Sequence, residues 1–262
     1  MTTPTRHTFL GHPRQLLSLF NIETWERFSF YGMQGILMLY LYYALADGGL
    51  GMDQTVAGGI MGAYGGSVYL STILGGWAAD RVFGAERTLF YSGVTVMLGH
   101  IALALVPGVT GLICGLVLIA LGSGGVKASS SSMVGTLYES DELRPLRDAG
   151  FTIFYFGINL GGFFGPLATG WLQATRGFHY GFGAAAIGMA TGLLVYTIGR
   201  RNLPHTGAPN PLPPESITMA IVSAGVLSLI IAAAVFFKEL RLDNFPTVLL
   251  VVVIFAVTGY FV

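Results

Sequence analysis

Apolar residues fall along this chain in long, nearly unbroken blocks, with neither the two-residue alternation of strands nor the one-sided stripe of a soluble helix. A helix of about 20 apolar residues crosses a bilayer. Runs of that kind lie at about 17–45, 54–79, 88–106, 110–137, 149–174, 179–199, 216–237 and 246–262. The first, fourth and fifth exceed the thickness of the hydrocarbon layer, which predicts tilt or extension beyond it. Pro107, followed by Gly108 and Gly111, marks a tight link between the third and fourth spans. The pattern predicts an all-α membrane protein.

The polar positions between the blocks orient them. Arg6, Arg14, Arg81, Arg87, Arg144, Arg147, Arg200 and Arg201 fall on one side, and Arg176, Lys238 and Arg241 on the other. Cations accumulate on the cytoplasmic side, so the N-terminus is expected there. Residues 1–15 are polar, and the first apolar block contains Glu23, Glu26 and Arg27, unlike the short apolar core of a cleaved signal. Five prolines, Pro204, Pro209, Pro211, Pro213 and Pro214, predict an extended cytoplasmic linker over 202–215. It separates a six-span unit, 1–201, from two plainer apolar spans within 216–262. Those two carry no internal ionisable residue and read as lipid-facing packing helices. The sequence stops at Val262 inside an apolar run, and the expectation is a portion of a longer protein.

Composition agrees. Hydrophobic residues make up 53% and charged residues 10%, against roughly a quarter charged in soluble domains. Mean hydropathy is +0.68 and the net charge is zero, so no basic field points to nucleic acid. Cys114 is the single cysteine, which leaves no disulfide and no cysteine metal site. No cofactor or metal is expected. The 38 glycines suit close helix contact in lipid.

The chemistry concentrates in the first span. Glu23, Arg27, Tyr31 and Gln34 are spaced four, four and three apart and share one helical face, with Glu26 about 60° to its side. Charges at membrane depth are costly, so they face the bundle interior and pair. Lys127 in the fourth span supplies a further charge. Glu23 and Glu26 against Arg27 and Lys127 sum to zero. A ligand carboxylate that takes Arg27 and Lys127 from their Glu partners leaves a buried Glu without its cation, and that Glu then accepts a proton. The bland alternatives are static ion pairs between spans one and four, or a Glu23 that snorkels to the cytoplasmic interface.

These residues carry a resemblance. ETWERFSFYGMQGIL (23–37) resembles the ExxERFSYYG signature of the proton-dependent oligopeptide transporters of the major facilitator superfamily. GGWAADRVFGAERT (75–88) resembles that family's helix 2–3 signature and the superfamily's cytoplasmic gating motif. GSGGVKASSSSMVG (122–135) and FTIFYFGINLGGFFGP (151–166) resemble its helix 4 and helix 5 segments. The likeness covers about residues 12–204.

It implies a six-helix N-terminal bundle followed by the two extra inter-bundle helices of bacterial members, with a second six-helix bundle missing from this sequence. It implies proton-coupled symport of di- and tripeptides. Glu23 and Glu26 would handle the proton. Arg27 and Lys127 would hold the peptide carboxylate, and Tyr31, Tyr69, Tyr155 and Asn159 would line the pocket. Asp80, Arg81 and Arg87 would gate. Four departures bear on substrate range and proton route: Phe30 where the family usually has Tyr, Gln34 where it usually has Arg, Ala128-Ser129 where it usually has Pro-Asn, and no His in helix 2, where animal members carry one.

Other features have plainer readings beside the functional ones. Asp80, Arg81, Gly84 and Arg87 are either a charged turn or a charge-locked hinge, with Gly75 and Gly76 allowing close packing. Asn159 bonds a neighbouring helix or a peptide amide. His100 reads as a helix–helix hydrogen-bonding residue, and the Ser129–Ser132 run as structural. Two rivals to transport stand: a membrane enzyme with Glu23 and Glu26 as acid and base, for which no nucleophile or metal is in sight, and a fragment or accessory half that does not transport until joined by a C-terminal bundle.

Overall fold

The computed structural model describes residues 8–203, 207–211 and 213. A hairpin opens it, β1 (Thr8–Phe9) against β2 (His12–Pro13), with Phe9 opposite His12. Its two-residue loop, Leu10 and Gly11, has positive φ at both positions, 51° and 85°. That pair of angles is the type I′ turn, whose twist matches that of the strands.

Six long helices follow: α1 (Gln15–Tyr42), α2 (Gln54–Ala78), α3 (Ala85–Leu105), α4 (Gly108–Leu137), α5 (Arg147–Arg176) and α6 (Phe178–Gly199). Each lies within three residues of a run expected from hydropathy. The helices at 85–105, 108–137, 144–176 and 178–202 are long and apolar enough to cross a membrane by length and composition alone. α1 carries the buried charges Glu23, Glu26 and Arg27, and α2 carries seven glycines between Gln54 and Ala78. The two further spans expected within 216–262 lie outside the described residues, as does part of the 202–215 linker.

The arrangement is two helix groups joined at a seam. α1 packs against α5 and α6, α4 packs against α2 and α3, and α3 against α6 closes the group. Small residues make these approaches possible. On α5, Gly157, Gly161 and Gly165 recur every fourth residue. A Cβ on any of them would strike α1 at Thr24, Phe20 or Phe28. Thr169 continues the row and donates its hydroxyl to the Gly32 carbonyl at 2.7 Å. Gly75 of α2 abuts Gly124 and Gly125 of α4, whereas Gly76 meets nothing within 4 Å, so only the first of that expected pair serves packing.

One end of the bundle, here the proximal end, gathers the start of α1, the α2–α3 and α4–α5 links and the end of α6. There α2 runs into a π-helical turn, Ala79–Phe83, which Gly84 ends at φ +80°. At the same end His12 Nδ1 and the Tyr138 hydroxyl are hydrogen-bonded at 2.8 Å, tying the hairpin to the end of α4.

Candidate functional site

Glu23, Glu26 and Arg27 lie where α1 faces α4, with relative exposures of 2%, 0% and 4%. The Arg27 guanidinium Nε lies 2.8 Å from Glu23 Oε1 and 3.0 Å from Glu26 Oε2. A single donor, Nε, faces both carboxylates: it hydrogen-bonds Glu23, while Glu26 Oε2 has no hydrogen-bond partner among the described residues. α4 supplies the other donors: Ser123 Oγ donates to Glu26 Oε1 at 2.9 Å, and Ser130 Oγ to Glu23 Oε2 at 2.8 Å. Because α1 and α4 run antiparallel, the later Glu meets the earlier Ser. Glu23 therefore does not snorkel to an interface. It is sealed into the seam.

The trio carries two negative charges and one positive. Lys127 does not complete it as the sequence suggested: among the described residues it makes no ion pair within 4 Å. Its ammonium instead lies 5.2 Å from the centre of the Phe30 ring and 4.9 Å from that of Tyr69, an aromatic cage. The expected Lys127–Glu pairing is thus corrected. The side chain stands half-buried beside the trio with its charge uncommitted. Phe30, one of the departures, has a use here: it faces Lys127 and stacks on the fully buried Tyr64 at 6.2 Å.

The expected pocket residues follow from the cage outward. Tyr69 and Tyr31 are exposed, and Tyr31 packs edge-on to Phe30 at 5.4 Å. Tyr31 also lies against Gly162 of α5. One turn before Gly162, Asn159 is exposed and donates Nδ2 to the Tyr155 carbonyl at 2.9 Å, and Tyr155 is exposed too. Contacts thus run from Tyr69 of α2 to Lys127 of α4 and through Phe30 to Tyr31 of α1, which lies against α5 one turn from Asn159.

Asp80, Arg81 and Arg87, the expected gate, form no ion pair among the described residues, and Asp80 and Arg87 are exposed. The buried ion pair at this end is another one, which sequence reasoning missed. Glu86, 3% exposed, receives Arg200 Nε at 2.8 Å and Nη2 at 3.1 Å. The Arg200 guanidinium also lies over the Phe90 ring at 4.3 Å. Glu86 stood within the 75–88 signature and Arg200 counted only towards orientation; no sequence spacing links residues 114 apart. Ser123 and Ser130 were missed as well, though their separation of seven places both on one face of α4. His100 is corrected too: it is fully buried, and neither ring nitrogen has a hydrogen-bond partner among the described residues.

Comparison with known proteins gives this arrangement a setting. The profile of the POT family (PTR2) matches residues 86–260. The chain is 44% identical to a di-/tripeptide transporter of Lactococcus lactis subsp. cremoris, over 98% of this chain and 54% of that one. It is 48% identical to the uncharacterized transporter YclF of Bacillus subtilis (strain 168), over 87% of this chain and 46% of the relative. Among solved structures, a peptide transporter POT in complex with sulfate superposes with a TM-score of 0.83 at 45% identity, over 93% of this chain and 50% of that one. The chain spans about half the length of the relatives it matches.

Proposed function

Because this chain belongs to the POT family, a family of multi-pass membrane transporters, we propose that it forms the N-terminal portion of a symporter that couples inward proton flow to uptake of di- and tripeptides. Transport would proceed by alternating access across the cytoplasmic membrane, with the N-terminus in the cytoplasm. The observation that carries this reading is the odd charge of the buried trio beside an uncommitted cation. A net negative charge sealed from water is costly. One proton on Glu23 or Glu26 brings the trio to neutrality, and so does the approach of another cation. A peptide carboxylate arriving at Lys127 and Arg27 draws positive charge away and makes the proton more favourable. Proton and peptide then enter together.

In this reading Arg27 and Lys127 hold the carboxylate, and Glu23 and Glu26 exchange the proton. Tyr31, Tyr69, Tyr155 and Asn159 contact the peptide backbone. Asp80, Arg81 and Arg87 belong to the moving cytoplasmic end, where they would meet a second bundle. The names of the relatives, di-/tripeptide transporters in two Lactococcus lactis strains, support the substrate class. The half-length match favours one further point: a pocket between two bundles needs both, so this portion transports only when joined by a C-terminal bundle.

The test is uptake of labelled dialanine into proteoliposomes, with and without an inward proton gradient, using the chain alone and with a C-terminal bundle. Gradient-driven uptake is expected only with the bundle, and Arg27→Ala should abolish it. Coupled uptake that survives Arg27→Ala would remove the site assignment.

A further inference from the structure

Between the proximal ends of α4 and α5 lies a surface cavity of about 740 Å³, whose lining includes Ser131, Ser132, Thr136, Glu139, Arg144 and Arg147. That volume is typical of a small-molecule site. The lining is polar on both helices, and its charges are of both signs. Arg144 is partly engaged: its Nη2 lies 3.5 Å from Asp141 Oδ1 and donates to the Glu139 carbonyl at 3.3 Å. Arg147 is exposed and makes no ion pair within 4 Å among the described residues; its guanidinium lies 5.8 Å from the Phe151 ring.

Phosphate or another plain anion would use the guanidinium and leave the Glu139 carboxylate opposing it. A zwitterion uses both. Its carboxylate meets Arg147, its ammonium meets Glu139, and the hydroxyls of Ser131, Ser132 and Thr136 serve the amide between. A short peptide with free termini has this chemistry.

The cavity lies below Lys127 on the same side of α4: Lys127, Ser131 and Gly135 fall at steps of four and form one ridge, and Glu139 stands just past the end of the helix. From Lys127 to Gly135 the ridge descends roughly 12 Å at 1.5 Å per residue. Gly135 keeps the ridge low where Arg147 crosses it: a Cβ there would stand 3.9 Å from Arg147 Nη2. A peptide leaving Lys127 towards the proximal end therefore meets Arg147 next.

Resting on the transport reading above, we propose that this cavity is a second, weaker peptide station, which takes the carboxylate on Arg147 and the ammonium on Glu139. It is weaker than the central site because its charges are exposed and screened by salt, whereas Arg27 is buried. Every residue it needs lies on this chain, so binding here does not depend on another bundle.

The test uses the whole chain in lipid nanodiscs, with Cys114→Ser and an environment-sensitive fluorophore on Ser140→Cys, just outside the lining. Dialanine should give a saturable response. Arg147→Gln should raise its half-saturation roughly tenfold or more, the scale of a lost charge pair. Arg147→Lys should recover most of that, and Glu139→Gln should weaken the response as well. Arg176→Gln, at the far end of α5, should leave it unchanged. No saturable response, an unchanged half-saturation in Arg147→Gln, or an equal response to inorganic phosphate would each overturn the proposal. Coupled uptake without a cavity response would sink the station and leave the transport reading standing. A cavity response without coupled uptake would do the reverse.

Discussion

Two buried carboxylate–arginine clusters stand in this bundle, and they are built to different charge totals. At the proximal end, Glu86 and Arg200 pair one to one with two contacts, at 2.8 and 3.1 Å, and the guanidinium lies on Phe90. Their charges cancel. In the α1–α4 seam, Arg27 is divided between Glu23 and Glu26, and serine hydroxyls rather than a second cation supply the other donors. Their charges do not cancel. A balanced pair holds helices together and has no reason to change state. An unbalanced one is sealed in a state that a proton or a ligand improves, and that is what a coupling site needs.

The largest effect should come from breaking the unbalanced cluster. Arg27→Ala strands two carboxylates in a seam where both are at most 2% exposed. Losing one partner of a buried pair costs about 3–5 kcal/mol. Thermal unfolding in detergent should show a large drop in the midpoint. Adding Glu23→Gln and Glu26→Gln should restore most of it, because no buried charge then remains, while coupled uptake stays absent. A triple variant as unstable as the single one would refute the charge argument.

The balanced pair should respond otherwise. Arg200→Ala leaves Glu86 buried alone and should cost about 2–4 kcal/mol, somewhat less than in the seam because the Arg200 side chain is 25% exposed. Replacing both, Glu86→Leu with Arg200→Leu, should return stability to within about 1 kcal/mol of the parent, since hydrophobic isosteres often match a buried pair. Coupled uptake with a C-terminal bundle should survive. If the double variant is stable but fails to transport, the pair belongs to the moving end and not to the scaffold.

How far the sequence foretold this depends on the range of each interaction. The six helices were legible to within three residues because bilayer-length apolar runs are a local signal. Glu23, Glu26 and Arg27 were legible as a cluster because they share one turn. What the sequence did not give was partnership across the bundle. Lys127 was assigned to a Glu by charge arithmetic, and only packing reveals that Phe30 and Tyr69 surround it. Ser130 read as structural and Ser123 drew no notice until α4 was laid antiparallel to α1. Glu86 and Arg200 stand 114 residues apart, and no periodicity joins them. Fold came from local pattern, and the site from contacts between helices.

The smallest stability effect should fall on Lys127, where the comparison of the two clusters is sharpest. A lysine completing a charge network would, on removal, leave a carboxylate unpaired and cost several kcal/mol. This one is caged by Phe30 and Tyr69, at 5.2 and 4.9 Å, and no carboxylate oxygen lies within 4 Å of it among the described residues. Lys127→Met keeps a similar stem between the two rings and gives up only the cation–π attraction, about 0.5–2 kcal/mol. The unfolding midpoint should therefore move little, far less than in Arg27→Ala. Binding and uptake should not be spared if, as proposed, the uncommitted ammonium is the group offered to the peptide carboxylate. With a C-terminal bundle present, gradient-driven dialanine uptake should fall by tenfold or more, the scale of losing one charged hydrogen-bonding partner. A large stability loss in Lys127→Met would mean that the lysine does neutralise the trio in solution. The seam would then be balanced like the Glu86–Arg200 pair, and the argument for proton coupling from its odd charge would fail.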